Sequence, residues 1–261
     1  MNSWCWTGQT FEQADSVPLS DRGFRYGMSI FESLRVNAGE PEFFEKHTAR
    51  LLQACAERDL SLDEAILLRI PELFSSLSGF ARIYVTAGDG GPAAAADAPR
   101  VLVFIEERTP PKPEDTWEIT LHDESYHAPF GGLKTANYWF NCDALGRARR
   151  RGFDEALLFN DRAELVSACC ANVFIVRDEH ISTPPRSSGV RAGVIREWVT
   201  NRRKVEERRL RREDVVNADE IFLTSSWIGV QPVATLEGRP LGARIIGPKL
   251  AAELEARRNS G

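Results

Sequence analysis

The sequence predicts an α+β protein of two lobes, and three observations support this fold class. Segments that alternate apolar and polar residues, as half-buried strands do, occur in both halves of the chain together with segments of helical spacing. The 261 residues are enough for two ordinary domains. A proline cluster, TPPKPEDT, keeps the chain extended and stops the flanking elements. We therefore predict an N-terminal lobe over 1–108, a linker over 109–116 and a C-terminal lobe over 117–261.

In the N-terminal lobe, the turn-rich stretch DRGFRYG precedes an alternating segment, 29–36, that predicts a strand. Helical spacing from Lys46 onward predicts an amphipathic helix. A second helix fits 63–77, where Pro71 is a candidate break. The segments ARIYVTAG and VLVFIE then predict two strands around a loop whose GDGG is too weak a signal for a phosphate loop.

In the C-terminal lobe, strands are predicted for WEITLH, EALLF, ELVSACCANVFIV, HIST and EIFLTSS. A helix over 138–151 is predicted to turn Tyr138, Cys142 and Leu145 inward and to stop at Gly152. Another helix opens at Gly193, and EDVVNADE predicts a short one.

Composition narrows the classes of partner. With 33 basic and 38 acidic residues, the net charge of -5 supplies no overall positive field for nucleic acid or anionic lipid. No apolar run approaches the roughly 20 residues of a membrane span, and no basic start leads into an apolar stretch, so we expect a cytoplasmic protein. Five cysteines without a C-x-x-C spacing and four scattered histidines indicate neither a disulfide framework nor a metal site.

Short motifs carry the functional signal, and they occur in a fixed order along nearly the whole chain. In order, they are DRGFRYG, FESLRV, HTARL, LKTANY, GFDEALLF, ANVFIV, TPP, GVIR, ADEIFLTSS and QPV. This set resembles the class IV aminotransferases, the pyridoxal 5'-phosphate (PLP) family that includes branched-chain and D-amino acid aminotransferases and aminodeoxychorismate lyase. The resemblance implies fold type IV, with an N-terminal α/β sandwich lobe, a C-terminal pseudo-barrel lobe and PLP as cofactor.

Lys134, in GGLKTANYW, is the residue on which this interpretation depends. Taken alone, it is an exposed loop lysine, because lysine is mostly exposed in folded proteins. The resemblance implies that Lys134 holds PLP as a Schiff base. Lysine suits this role because burial and cationic neighbours can lower its pKa enough to leave an uncharged, nucleophilic amine. The same amine can carry a proton on and off the substrate Cα.

The resemblance also implies a set of residues that bind the cofactor phosphate. Arg50, in HTARL, matches the phosphate arginine, whose planar fork suits two oxygens at once. The alternative is a surface arginine paired with Glu57 or Asp59. The motif GVIR matches a helix N-terminus whose backbone N–H groups bind the phosphate, and a strand-end hydroxyl and amide complete the site. The helix N–H groups are those of Val194 and Ile195, and the strand-end groups belong to Ser225 and Ser226.

Two further residues match positions near the cofactor ring and the substrate. Tyr138 matches a tyrosine that bonds the ring hydroxyl; it would equally suit a core. Arg82 falls where branched-chain enzymes have an arginine facing the substrate, and it lies in an otherwise apolar strand. Its partner is either a substrate carboxylate or an intramolecular acid. The Arg-x-His pair of D-amino acid aminotransferases is missing, which disfavours that specificity.

The clearest departure from the family is Ser167, which stands where members usually carry a glutamate that keeps the pyridine nitrogen protonated. A serine can only donate to a neutral nitrogen, so we expect a weaker electron sink. Catalysis is then either slower than in relatives with the glutamate or less dependent on a long-lived quinonoid. Glu164 lies an odd number of residues away, on the opposite face of a regular strand, and could substitute only through a bulge or a slipped register.

The leading functional prediction is transfer of an amino group from an amino acid to a 2-oxo acid, in a homodimer that closes each site with loops of the partner subunit. The first alternative is aminodeoxychorismate lyase, which uses the same lysine to eliminate pyruvate. The second is a degenerate relative that keeps the fold in a binding role, an alternative that Ser167 keeps open.

Overall fold

A computed structural model describes residues 1–112, 114–115, 117–242 and 244–258. The chain divides into two units, Met1–Pro110 with Leu133–Asn137, and Pro111–Gly132 with the residues from Tyr138 onward. The sequence-based division placed residue 134 in the C-terminal lobe, whereas the short segment around it belongs to the first unit. Residues 113 and 116 of the predicted linker lie outside the described residues.

The described elements include both strands and helices. The strands are β1 (Asn2–Trp6), β2 (Phe11–Gln13), β3 (Ser29–Asn37), β4 (Glu40–Pro41), β5 (Gly79–Thr86), β6 (Arg100–Glu106), β7 (Trp117–Leu121), β8 (Glu155–Phe159), β9 (Leu165–Ala168), β10 (Asn172–Arg177), β11 (His180–Thr183), β12 (Val205–Glu207), β13 (Glu220–Ser225), β14 (Gly229–Leu236) and β15 (Arg239–Pro240). The helices are α1 (Arg22–Tyr26), α2 (Phe44–Ala56), α3 (Glu64–Leu67), α4 (Trp139–Arg150), α5 (Val194–Thr200), α6 (Arg212–Val216) and α7 (Ile246–Arg258). This content confirms the predicted α+β class.

The first unit is built on an antiparallel six-stranded sheet of order β2-β1-β6-β5-β3-β4. Strand β3 follows the predicted alternation, since Ile30, Leu34 and Val36 are buried in one core cluster. Helix α2 adds Leu51 and Cys55 to the same cluster, as its helical spacing predicts.

The predicted helix over 63–77 is wrong in part. The structure has the short helix α3 followed by a 3₁₀ helix over Ile70–Phe74 that carries Pro71 in its first turn. Proline lacks an N–H and clashes with the preceding turn of an α-helix, so the helix ends before it and a new one begins.

The second unit holds a nine-stranded mixed sheet of order β12-β11-β10-β13-β14-β7-β8-β9, with β15 paired to β14. The β7–β8, β7–β14 and β11–β12 pairs are parallel and the others are antiparallel. Helix α4 packs on one face, where Ala144 and Ala148 meet Leu158 and Val166. Each of the two sheets curls as a half-barrel.

Helix α4 also corrects the predicted inner face. Its buried residues are Asn141, Ala144 and Ala148, whereas Cys142 is exposed. The predicted stripe was therefore rotated: small alanines form the buried centre of the contact, and Phe140 and the predicted Leu145 pack at its edge.

The long predicted strand over 164–176 is two strands, β9 and β10, joined by a turn at Cys169–Ala171. Buried Glu155 explains the turn, because its carboxylate accepts the N–H groups of Cys169 and Cys170 at 3.0 and 3.2 Å. A carboxylate that collects backbone donors in this way holds a tight turn that an apolar run alone does not reveal.

Candidate active site

The backbone of Lys134 is fixed to the first unit. Phe31 N–H donates to the carbonyl of Lys134, and Ala136 N–H donates to the carbonyl of Ser29, both at 2.9 Å. The short segment therefore runs beside the start of β3. The Nζ atom of Lys134 lies 4.1 Å from the centroid of the Phe31 ring, within the range of a cation–π contact.

The two glycines before Lys134 have a structural reason. Gly131 and Gly132 adopt φ values of 66° and 94°, in the left-handed region that side chains disfavour. A Cβ on Gly132 would lie 2.8 and 2.7 Å from the carbonyl oxygens of Gly189 and Val190. The chain can therefore approach Lys134 along this path only with glycine.

A buried carboxylate, Glu32, organises the charged side chains of the first unit. It lies on β3 at an inward position, and its side chain is almost fully buried. His47 Nδ1 lies 2.7 Å from one carboxylate oxygen, and Arg50 Nη2 lies 2.6 Å from the other. Helix α2 supplies both partners, three residues apart and on the same face.

The electrostatics of this cluster favour a charged Glu32. Burial opposes ionisation, but the charge of Arg50, the hydrogen bond from His47 and the charge of Lys134 together lower the pKa of Glu32 to about 2. Burial lowers the pKa of His47 and keeps its imidazole neutral, although Glu32 acts in the opposite direction. The cluster thus holds one fixed negative charge that both Arg50 and Lys134 stabilise.

Arg50 is therefore not the surface arginine paired with Glu57 or Asp59 that was the alternative interpretation. Sequence reasoning missed Glu32, although one signal was present. A carboxylate at an inward position of an alternating strand requires cationic partners.

Arg82 projects among aromatic rings of the first unit. Its Cζ atom lies 4.8 Å from the centroid of the Phe80 ring and 5.9 Å from those of Phe31 and Phe104. Its Nη1 donates to the Tyr84 hydroxyl at 3.3 Å, and its buried Nε has no hydrogen-bond partner among the described residues. No acid of the described chain forms an ion pair with Arg82, so the predicted intramolecular partner is not found there.

In the second unit, Tyr138 lies just before α4 with its hydroxyl in a polar setting. Arg191 Nη1 donates to the phenol oxygen at 2.8 Å, and the hydroxyl lies 3.2 Å from the carbonyl oxygen of Cys169. Burial raises the pKa of the Tyr138 phenol, and the charge of Arg191 opposes that rise. Tyr138 is therefore a neutral hydrogen-bond donor at neutral pH.

Helix α5 presents its N-terminus as the GVIR motif predicts. Gly193 is the N-cap residue and carries no capping side chain, and Val194 and Ile195 form the first turn. The first N–H groups of a helix have no intrahelical acceptor, so they are available to an anion. A Cβ on Gly193 would overlap Oδ1 of Asn172, which explains why glycine is required here.

The predicted hydroxyls of Ser225 and Ser226 lie at the end of β13, beside the start of β10. Asn172, at the start of β10, pairs with Thr224, near the end of β13. The next residues, Ser225 and Ser226, are half-buried, and Ser225 Oγ accepts the N–H of Ile228 at 3.3 Å. Since Asn172 packs on Gly193, the β13 end and the α5 N-terminus share one neighbour.

Ser167 is half-buried on β9, next to a bulge. It pairs with Leu158, whereas Leu165 pairs with Phe159, so Val166 is an extra residue in the ladder. The alternation of side chains is interrupted there, and the parity argument that separated Glu164 from Ser167 does not hold.

The contacts of Glu164 settle its role instead. Its carboxylate lies 3.0 Å from Arg162 Nη2 and 3.5 Å from Arg209 Nε. Asn160 and Ser188 also donate to it, at 3.1 and 3.2 Å. The hydrogen bond from Arg162 is the main cause that lowers the pKa of Glu164 to about 2. Glu164 is committed to this cluster and does not replace the missing glutamate.

The predicted residues fall into two groups. Arg50, Arg82 and Lys134 lie in the first unit, and Tyr138, Ser167, Val194, Ile195, Ser225 and Ser226 lie in the second. Within the described residues, no cluster of His, Cys, Asp or Glu is arranged to hold a metal ion. No helix in that part of the chain has the length and apolar character needed to cross a membrane.

Among known proteins, the chain has relatives that are named for each of the two predicted activities. It is 25% identical over 257 residues to a D-alanine aminotransferase of Bacillus licheniformis, covering 92% of this chain and 90% of that protein. It is 26% identical over 253 residues to an aminodeoxychorismate lyase of Bacillus subtilis, covering 88% and 85%.

The fold comparison agrees. The structure superimposes on a branched-chain aminotransferase of Thermoproteus uzoniensis, solved with norvaline, with a TM-score of 0.88 at 20% identity, covering 98% of this chain and 94% of that chain. The fold is thereby confirmed as fold type IV. Since the family profile for amino-transferase class IV also matches residues 29–236, the chain belongs to the class IV aminotransferase family, whose members are PLP-dependent enzymes.

Proposed function

We propose that this protein is a PLP-dependent aminotransferase that moves an amino group from an amino acid to a 2-oxo acid. The observation that carries the proposal is the cluster around Glu32. The lysine expected to hold the cofactor and the arginine expected to bind its phosphate both place positive charge on one buried carboxylate. That arrangement concentrates cations where an anionic cofactor would bind.

The residues present fit the cofactor. Its phosphate requires donors, and each unit has some of the right kind: the guanidinium of Arg50 in the first, and the uncapped N-terminus of α5 and the Ser225 hydroxyl in the second. When bound, PLP would supply an aldehyde for the link to Lys134 and a ring that delocalises the electron pair left at the substrate Cα.

The chain's own residues would divide the remaining work. Lys134 would hold the cofactor and then move a proton at the substrate Cα. Tyr138, a neutral donor, would orient the ring through its hydroxyl oxygen. Arg82, whose buried Nε has no partner among the described residues, would bind a substrate carboxylate. Its aromatic surroundings would strengthen that charged contact by excluding water.

Aminodeoxychorismate lyase is the second candidate, because a relative of that name is 26% identical over most of the chain. A direct comparison separates the two. The purified protein is supplied with an amino donor and a 2-oxo acid acceptor, or with aminodeoxychorismate. Amino-group transfer supports the proposal, whereas pyruvate release from aminodeoxychorismate without transfer favours the lyase. A protein that binds PLP but catalyses neither reaction would favour the binding role that Ser167 keeps open.

We also propose a homodimer, as in the family. Large apolar side chains on and near α1 support it, since Leu19 is 79% and Phe24 is 68% exposed in the single chain. Sedimentation velocity would give twice the chain mass if the proposal is correct and the chain mass if it is not.

A further inference from the structure

Arg191 is a charged residue that the sequence motifs did not single out. It lies in the loop before α5, and its Nη1 donates to the Tyr138 oxygen at 2.8 Å. Its Cζ atom also lies 4.7 Å from the centroid of the Tyr138 ring. The guanidinium therefore contacts both the polar and the aromatic part of one side chain.

This guanidinium has no acidic counter-ion in the described part of the chain. The groups that act on its charge are Tyr138, Tyr126 and Cys170, none of which is a carboxylate. Arg196, on the neighbouring helix, shows the usual arrangement, with Glu207 at 3.0 Å. A half-buried cation without an anion is costly, so its position calls for an anionic partner that the described chain does not supply.

The direction of the hydrogen bonds shows what Arg191 does to Tyr138. Because Arg191 can only donate, the phenol oxygen accepts, and the single hydroxyl proton of Tyr138 is left to donate elsewhere. The carbonyl oxygen of Cys169 lies 3.2 Å away, but it already accepts from Asn141 at 2.8 Å. An anionic acceptor would compete with that neutral carbonyl for the proton, and a cationic donor on the phenol oxygen makes Tyr138 a better proton donor.

The loop that carries Arg191 is held rigidly. The side-chain amide of Asn172 and the N–H of Gly193 both donate to the carbonyl of Arg191, each at 2.9 Å. The contact between Arg191 and Tyr138 is thus built into the same loop that presents the α5 N-terminus.

We propose that Arg191 is a positioning residue that, through Tyr138, stabilises an anionic ring oxygen of the bound cofactor. This inference rests on the proposed function. It also assigns a consequence to Ser167, because a site without the usual carboxylate has no negative charge there to offset the cation. Arg191 then stabilises negative charge on the oxygen side of the ring. Ser167 carries no charge that could stabilise a protonated nitrogen on the other side.

The test is a pH titration of the near-visible absorbance band of the PLP-loaded protein. A positive charge near the ring oxygen disfavours protonation of the linked chromophore, so its removal raises the pH midpoint of the band. Arg191→Gln and Arg191→Met are both made, since the methionine keeps an unbranched stem against the Tyr138 ring and provides a second neutral variant if the first is poorly folded. Arg186→Gln, exposed in the same loop, is the control.

The expected result is a rise of about one pH unit for Arg191→Gln and Arg191→Met, a smaller rise for Arg191→Lys and none for Arg186→Gln. In a Tyr138→Phe background, Arg191→Gln should add nothing, because the charge acts through the phenol. An unmoved midpoint in both neutral variants, or an equal shift with and without Tyr138, overturns the inference alone. A wild-type protein that forms no band overturns the proposed function, and the inference falls with it.

Discussion

Glu32 occupies an inward position of β3, where an unpaired carboxylate would cost several kcal/mol. His47 and Arg50 bind one oxygen each, and Lys134 contributes its charge. A single residue thus connects the strand, helix α2 and the segment of the predicted catalytic lysine. Its role follows from contacts: the motif FESLRV contains Glu32 but gave no indication of that role.

Glu32→Gln should lower the free energy of unfolding by about 2 kcal/mol, because it replaces the buried carboxylate that binds Arg50 and His47 with a neutral amide. PLP should also bind more weakly, since Arg50 loses the contact that orients it. Urea unfolding and a fluorescence titration with PLP measure the two effects. Glu57→Gln, on the exposed end of the same helix, should change neither. Equal results for the two variants would contradict the role of Glu32.

Glu32 also sets a pH dependence. Its pKa falls from 4.5 to about 2 on folding, so the unfolded chain binds the proton first. The stability that this group contributes is fully present above pH 4.5 and is lost as the pH falls through about 2. The loss is at most about 3 kcal/mol. Unfolding measured from pH 6 to pH 2 should show it in the wild type, and Glu32→Gln should lack this component. A variant curve parallel to the wild type would contradict the assignment.

Ser167→Glu should increase turnover on the order of tenfold, because a carboxylate at the ring nitrogen restores the electron sink. Steady-state kinetics and the amount of bound PLP test this, with Ser167→Gln as the size-matched control without a charge. If bound cofactor and turnover are both unchanged in Ser167→Glu, the explanation is wrong.

At the scale of elements, hydrophobic periodicity was reliable where one face is buried and the other is solvated. Helix α2 follows that pattern. Strand β3 keeps the predicted alternation on its core face, at Ile30, Leu34 and Val36, although its other face is also largely covered. Periodicity failed where polar side chains or bulges shape the backbone. The turn held by Glu155 divides one predicted strand into β9 and β10, and the bulge at Val166 cancels an argument from strict alternation. These features depend on partners distant in sequence, which no local pattern contains.

The close approach of Gly193 to Asn172 at the N-terminus of α5 can be tested by substitution. Gly193→Ala should destabilise the protein by about 2 kcal/mol, because the added methyl group overlaps Oδ1 of Asn172 and displaces the loop. PLP affinity should fall with it. Gly146→Ala, inside α4, should instead stabilise by roughly 0.5 kcal/mol through helix propensity. Thermal unfolding of both variants provides the comparison, and a neutral Gly193→Ala would show that the close approach does not hold the loop.

At the scale of the whole molecule, the ordered motifs identified the family, and the comparisons confirmed it. The motifs also placed the glycines before Lys134 and Gly193, whose conformations the structure explains. They gave no indication of Arg191 or of the partner of Arg50, because those contacts join residues that no motif links. Family membership can be recognised from the order of motifs along the chain. The electrostatics of the site depend on pairs of charged side chains that folding brings together.

The central claim is that Lys134 carries the cofactor. The most direct measurement is mass spectrometry of peptides after PLP is added and the product is reduced with borohydride. Before reduction we expect a near-visible absorbance band, and after reduction an adduct on the peptide that contains Lys134. Both should be absent in Lys134→Met and retained in Lys204→Met, an exposed lysine in the second unit. A wild-type protein that forms no adduct, or an adduct that persists in Lys134→Met, would contradict it.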